Sequence, residues 1–184
     1  MIRGASGWYS ALSVAGTGAG SSSGTGGKAT AAALFNPQGT WVDTLQTVYF
    51  SEYAGFCIRK FSTSDSIVVN MVGVCGTTNA YNGDGIPATS AYISAEFITG
   101  SSTGTFYAVD TANNRIRKVV GGIISTIAGT GGALNTGDGG AATAAQIGNP
   151  TGIFADTTDK LYIGSYALCK IRVISQNIIS TFTG

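Results

Sequence analysis

Runs that end in glycine return along this chain at nearly constant intervals: SVAG closes at Gly16, NMVG at Gly73, STIAG at Gly129 and STFTG at Gly184, spacings of 57, 56 and 55 residues. A period of this length marks a repeat architecture, in which no unit can bury its apolar face alone and each must stack on its neighbour. Inside each interval the same events follow in the same order. A turn-rich loop reads SGTGGKATAAALFNP from Ser23, NGDGIPATSAYISAE from Asn82 and TGDGGAATAAQIGNP from Thr136. Four short runs come next: GTWVD, FITGSS or GIFAD; VYFSEY, FYAVDT or LYIGSY; CIRKF, RIRKV or KIRVI; and SIVVNMVG, GIISTIAG or NIISTFTG.

Each run is about five residues long, rich in Ile, Val, Phe and Tyr, and bounded by Gly, Asp, Asn or Ser, the pattern of a strand between turns. The aliphatic balance agrees, since 17 Ile and 11 Val stand against 6 Leu and β-branched side chains suit a pleated sheet better than a helix. Four strands joined by short turns make an antiparallel meander, which is a propeller blade. In the first repeat the strands are expected near 39–43, 47–51, 57–61 and 66–72. The Ala-rich pieces Ala29 to Ala33, Ala88 to Ala91 and Ala141 to Ala145 are too short for more than a turn of helix, and are expected to lead into each blade's inner strand.

The succession GDGGAATAAQIGNPTGIFAD, LYIGSY, KIRVI, IISTFTG resembles the NHL repeat, whose blades carry a Gly-Asp-Gly-Gly loop, an Asn-Pro-x-Gly turn, a Leu-Tyr-Ile strand and an Ile-Arg-Lys-Val strand. The resemblance covers nearly the whole chain in three copies. It implies an all-β fold of NHL-type propeller blades, each a four-stranded antiparallel meander, in an incomplete ring of three blades: residues 17–73, 74–129 and 130–184. Two departures stand out. The first blade has Thr25 where the others have Asp84 and Asp138, and the second lacks the Asn-Pro turn, reading SAEF.

Arg3, Arg59, Arg117 and Arg172 each follow an isoleucine at the same place in the pattern. A buried guanidinium demands partners for its five donors. Asp84 and Asp138 in the glycine loops, with Asp43 and Asp156 at the ends of inner strands, are the acids expected to meet Arg59, Arg117 and Arg172 and tie loop to sheet. A polar binding face is the alternative reading of the same residues. The Gly-Asp-Gly loops lack the several carboxylates that calcium wants and the helix and Lys of a phosphate cradle. Tyr49, Tyr107 and Tyr162 recur on the second strand, where they are expected to pack aromatically between adjacent blades; a carbohydrate platform is the other reading. Trp8 and Trp41 belong to no such series.

No histidine occurs in the chain. Ser-His-Asp and Cys-His catalysis, imidazole bases and His metal ligands are thereby removed, including the His-built metal site that some NHL-like lyases carry. With the nine acids spread over the blades, no catalytic residue, cofactor site or metal site is assigned, and the chain is expected not to be an enzyme. A net charge of +1 gives no field to collect phosphates, so nucleic acid is not an expected partner. No stretch approaches the ~20 apolar residues of a membrane span.

Cys57, Cys75 and Cys169 show no metal-ligand spacing. Cys57 opens a third strand and Cys75 follows the next strand's terminal Gly73 by two, places that an antiparallel meander brings close. A Cys57–Cys75 disulfide is expected, with Cys169 left for a cysteine in a continuation of the array. Disulfides persist in oxidising compartments, and Ser and Thr make up 41 of 184 residues with only 10% charged. An extracellular setting follows, secreted or at the cell surface. There is no N-x-S/T sequon, so any glycan is expected to be O-linked, around Ser21, Ser22, Ser23 and Thr25.

Closed propellers have ~4 to 8 blades, and three leave faces and edges uncovered. Ile2 and Arg3 match a third strand and Ala11 to Gly16 a fourth, so residues 1–16 are expected to be the end of a preceding blade, with Met1 inside a longer array. Further blades, or other copies of the chain, are the expected partners. Two functions fit: a structural or adhesive extracellular scaffold or fibre built of blades, or a recognition propeller that binds a protein or small ligand on one rim. Even spacing of Trp, Tyr and Arg favours the first, since binding rims cluster them.

Overall fold

The computed structural model describes all residues except 1, 5, 6, 10, 11, 102, 103, 167, 168 and 184. A small hairpin comes first, β1 (Ile2–Gly4) with β2 (Gly7–Tyr9), pairing Arg3 with Trp8. The first large sheet is β3 (Pro37–Val42), β4 (Thr47–Glu52), β5 (Cys57–Ser62) and β6 (Val69–Val72), hydrogen-bonded in that order. The second begins with a two-residue strand β7 (Ile86–Pro87) and continues with β8 (Ala95–Gly100), β9 (Phe106–Asp110), β10 (Arg115–Val120) and β11 (Ile123–Ala128). There β7 adds to the outer edge, on β11. A short pair, β12 (Asn135–Thr136) with β13 (Gln146–Ile147), precedes the third sheet, β14 (Pro150–Ala155), β15 (Leu161–Ser165), β16 (Lys170–Ser175) and β17 (Ile178–Thr183). The chain is thus all-β, built of four-stranded antiparallel propeller blades that do not close into a ring.

The registers superpose. Arg59 faces Phe50 and Asn70, Arg117 faces Ala108 and Thr126, and Arg172 faces Ile163 and Thr181, each with a bulge beside the preceding isoleucine. Between the first two sheets lies a core of Ile58, Val72, Ile93, Ile98, Phe106, Val119 and Ile124, and between the second and third one of Val109, Ile116, Ile147, Leu161, Ile163, Ile174 and Ile179. Every sheet therefore has a forward face, toward the next repeat, and a rear face, toward the previous one. Inner strands lie so close that Ser51 Oγ donates to the Glu96 carbonyl of the next sheet at 2.8 Å.

The Ala-rich pieces are single 3₁₀ turns, Ala29–Ala31, Ala88–Ser90 and Ala142–Ala144. Their first alanines are sealed from solvent and bonded on both sides. Ala88 N donates to Gly122 O of its own sheet at 2.8 Å, and Ala88 O accepts from Gly73 N of the preceding sheet at 2.9 Å. Ala29 and Ala142 repeat the arrangement with Ser66 and Gly16, and with Asn177 and Gly129. Gly73, at φ +86°, explains the repeat-ending glycine: a Cβ there would run into Phe56 O and Cys57 Cα. That close pass also delivers residue 75 to residue 57.

One expectation fails at the beginning of the described chain. Residues 12–16 form no strand, and Leu12 and Val14 are exposed. Gly7–Tyr9, with Trp8 and Tyr9, has higher strand propensity than the Ala-Leu-Ser-Val-Ala run and pairs with Ile2–Gly4 instead.

Candidate functional site

Three arginines form the polar interior. Arg59 and Arg117 are wholly buried and Arg172 almost so, and each takes at least one carboxylate, supplied from either of two positions. Arg172 uses the glycine-loop acid alone: its Nε and Nη2 donate to Asp138 Oδ1 at 2.9 and 2.7 Å, and other donors reach Gln146 O and Thr136 O. Arg117 has both, Asp84 at 2.9 Å and Asp110, at the end of the second strand, at 3.5 Å. Arg59 has no loop acid, because Thr25 stands there. Its Nη1 donates instead to Glu52 at 2.8 Å, from the place equivalent to Asp110, and further donors go to Ala33 O and Ser23 O. In the third sheet that place is Ser165.

Asp43 and Asp156 do not meet an arginine, contrary to their expected role. Each lies at the first hairpin of its sheet and accepts backbone N–H groups of the turn, from Leu45 and Thr47 and from Thr158 and Lys160 respectively. The second oxygen accepts the hydroxyl of Tyr49 at 3.0 Å or Tyr162 at 3.3 Å. A short acid that satisfies turn amides is favoured there, and the hairpin tip lies far from the strand centre that holds the arginine. Partial desolvation together with the bond to Asp43 pushes the Tyr49 hydroxyl up to about 12.

Burial acts to raise Asp138, but hydrogen bonds from Thr181 and Arg172 and the guanidinium charge outweigh it, so its carboxyl sits below the ordinary 3.8. A depressed folded-state value contributes stability above about pH 4 that is lost as acid protonates the group. Asp138→Asn is expected to flatten this acid-side loss, measured as denaturation midpoints between neutral and acid pH; an unchanged slope would remove Asp138 from the account. Asp110 is shifted the other way, raised by burial against the bonds from Ser94 and Asn113 and the charge of Arg117.

Cys57 and Cys75 are joined in a disulfide with Cα atoms 5.0 Å apart. Cys169 is exposed and unbridged. Its backbone occupies the left-handed turn position just before the third strand, at φ +50°, where Phe56 and Asn114 stand in the other sheets, one place earlier than Cys57.

A concavity of about 610 Å³ opens between the hairpin tips of the first and second sheets. Trp41, Tyr49 and Phe106 form its aromatic floor, with ring centroids 5.1 to 6.3 Å apart, and Met71, Leu45 and Thr105 lie around them. The tryptophan needs Gly100, since a Cβ at that residue would come within 2.4 to 2.6 Å of three indole carbons. Tyr49 therefore does pack across to the next sheet. Tyr107 is buried between the second and third sheets, and Tyr162 stacks edge-on against Phe182 of its own sheet at 5.3 Å. The cluster escapes a reading based on period alone, because Trp41 breaks the repeat: its counterparts are Thr99 and Phe154. Among the described residues no group of three or more His, Cys, Asp or Glu is gathered as a metal site, and no helix is long and apolar enough to cross a membrane.

No family model matches the chain, and no curated protein matches it in sequence. Its fold is that of solved propellers. A protein of unknown function from Bacteroides thetaiotaomicron superposes with a TM-score of 0.61 at 22% identity, over 73% of this chain and 32% of that one. An auxiliary nutrient binding protein from the same organism gives 0.60 at 14%, over 82% and 36%. Virginiamycin B lyase from Staphylococcus aureus gives 0.55 at 15%, over 80% and 41%. The chain spans about a third to two fifths of the length of these structures. At such identities the likeness carries the fold and nothing further. The shared fold is itself enough to correct the expectation that the chain is not an enzyme. A lyase shares this architecture, and a lack of histidine removes imidazole chemistry while leaving carboxylates and phenols in place.

Proposed function

We propose that this chain is an exported binding scaffold of NHL-type blades, with repeats 17–73, 74–129 and 130–184 as its units, and that its ligand seat is the aromatic cleft between the first two. The observation that carries this reading is the Trp41–Tyr49–Phe106 floor, opened by Gly100 and bordered by the Asp43 turn. Aromatic faces take the C–H face of a sugar ring or another flat amphipathic molecule, and the hydroxyls of Thr44 and Thr105 are at hand for polar groups. A predominantly apolar concavity with few polar groups is the usual form of a small-molecule site. Two solved structures of similar fold are described as auxiliary nutrient binding proteins, which supports the same reading. The Cys57–Cys75 disulfide supports the extracellular setting. Ser21 and Ser23 are exposed and remain candidates for O-glycosylation, whereas the Ser22 hydroxyl is engaged by Glu52 and the exposed Thr25 hydroxyl donates to Asn70 Oδ1 at 3.0 Å.

Calorimetric titration with a panel of neutral oligosaccharides tests the seat. A binder is expected from the panel, and Trp41→Ala should weaken it by about 10-fold or more, a loss of at least ~1.4 kcal/mol. Equal affinity for the variant would place the ligand elsewhere.

A further inference from the structure

Two charged side chains flank the aromatic floor of the cleft, and only one of them is compensated. Asp43, the acid among the lining residues, is fully occupied: Oδ1 accepts the amides of Leu45 and Thr47, and Oδ2 the hydroxyl of Tyr49. Its charge is spread into the turn that it holds, and it takes up the one donor of the phenol.

Lys60 is the opposite case. It stands on β5 opposite Tyr49 of β4 and Val69 of β6, and Tyr49 and Met71, on the strands to either side of it, both line the cleft. The side chain is half-buried. Its ammonium lies over the Tyr49 ring, 5.7 Å from the centroid, and among the described residues no carboxylate forms an ion pair with it. A phenol face attracts an ammonium and fixes its place without neutralising it. An anion set against such a charge recovers part of what its partial burial costs. The arrangement belongs to this junction: in the second sheet Lys118 faces Tyr107 in the same way, but that tyrosine is sealed between sheets, and in the third Val173 faces Tyr162.

We propose that the seat selects acidic sugars, pyranose rings that carry a carboxylate, with the ring on Trp41 and Tyr49 and the carboxylate on the Lys60 ammonium. The inference rests on the ligand seat proposed above and adds the charge of its occupant. One ammonium matches one carboxylate. A carboxylate bonded directly to a ring carbon lies at the edge of the stacked face, beside the ammonium held over the phenol, and a charge-assisted bond there is about twice as strong as a neutral one.

Calorimetric titration of the intact chain at low salt with oligomers of galacturonate, glucuronate and mannuronate, each against its methyl ester, compares the same ring with and without charge. At least one acid is expected to bind about 10-fold or more tightly than its ester, and the difference should shrink as salt rises. In Lys60→Met, which keeps an apolar stem against Tyr49, acid and ester should bind alike, with an unaltered circular dichroism spectrum. Lys60→Arg should retain the preference, since a guanidinium also stacks on a phenol and pairs with a carboxylate. Equal affinity for acid and ester, or a preference that survives Lys60→Met, overturns the selectivity; sensitivity to Trp41→Ala would then still uphold the seat. If no acid, ester or neutral oligosaccharide binds, the seat and its selectivity fall together.

Discussion

Arg59→Met is expected to destabilise the first sheet by about 3–5 kcal/mol, the cost of stranding a buried charge whose partner has been removed. The charge left behind is Glu52, itself 0% exposed. Its remaining partners, the Phe35 amide at 2.9 Å and the Ser22 hydroxyl, are neutral. Arg172→Met supplies the contrast. Asp138 keeps 41% of its side chain in water, so it can rehydrate when the guanidinium goes, and the loss should be nearer ~1–2 kcal/mol from the missing hydrogen bonds. The double variant Arg59→Met with Glu52→Leu removes both charges and is expected to recover most of the loss, because buried ion pairs exchange for apolar groups at little net cost. Urea denaturation of the four proteins decides the matter. Equal losses for Arg59→Met and Arg172→Met would show that the exposure of the stranded acid does not govern the energetics.

Reduction of the Cys57–Cys75 bond is the second large effect. The bridge spans 18 residues, and closing a loop of that length in the unfolded chain is worth ~3 kcal/mol by the entropy estimate. Cys75→Ser should lose about this much relative to the oxidised protein, and reductant should add nothing further to the variant. Cys169→Ser serves as the control and should leave stability unchanged, since Cys169 is exposed and unbridged. If reductant and Cys75→Ser leave the denaturation midpoint where it was, the bridge contributes nothing to the fold. The effect should also be local: the bond ties the start of β5 to the residues just past Gly73, at the junction with the second sheet.

Much of the fold was legible because the repeat makes every strand appear three times, so a weak local signal is read against two others in register. The arginines were legible for the same reason. Their partners were less so, since a carboxylate can reach the guanidinium from two places and the sheets choose differently; only the alignment of SEY, VDT and GSY would have exposed Glu52 and Asp110 as alternatives to the loop acid. Asp43 and Asp156 misled because an acid near a strand end reads equally well as a charge partner or as a turn former, and the turn won. The aromatic cleft was hidden by the method that revealed the fold: a search for what recurs passes over Trp41, whose value lies in not recurring. The strand expected to end at Gly16, absent from residues 12–16, shows the complement. Where only one copy of a pattern is present, local propensity decides.

The doubly bonded alanines have a further implication, for how such a chain can change length over evolutionary time. Ala29, Ala88 and Ala142 each act as a mortise that receives the last glycine of one repeat and is itself pinned to the hairpin of the next. A duplication or deletion of one whole period, whatever its starting point, leaves every mortise with its tenon, because the two halves recur at the same phase. Gains and losses of any other length would cut a joint in two. Geometry alone therefore makes repeat number easy to alter in whole steps and hard to alter otherwise, and it favours a small residue at these positions, which are sealed from solvent.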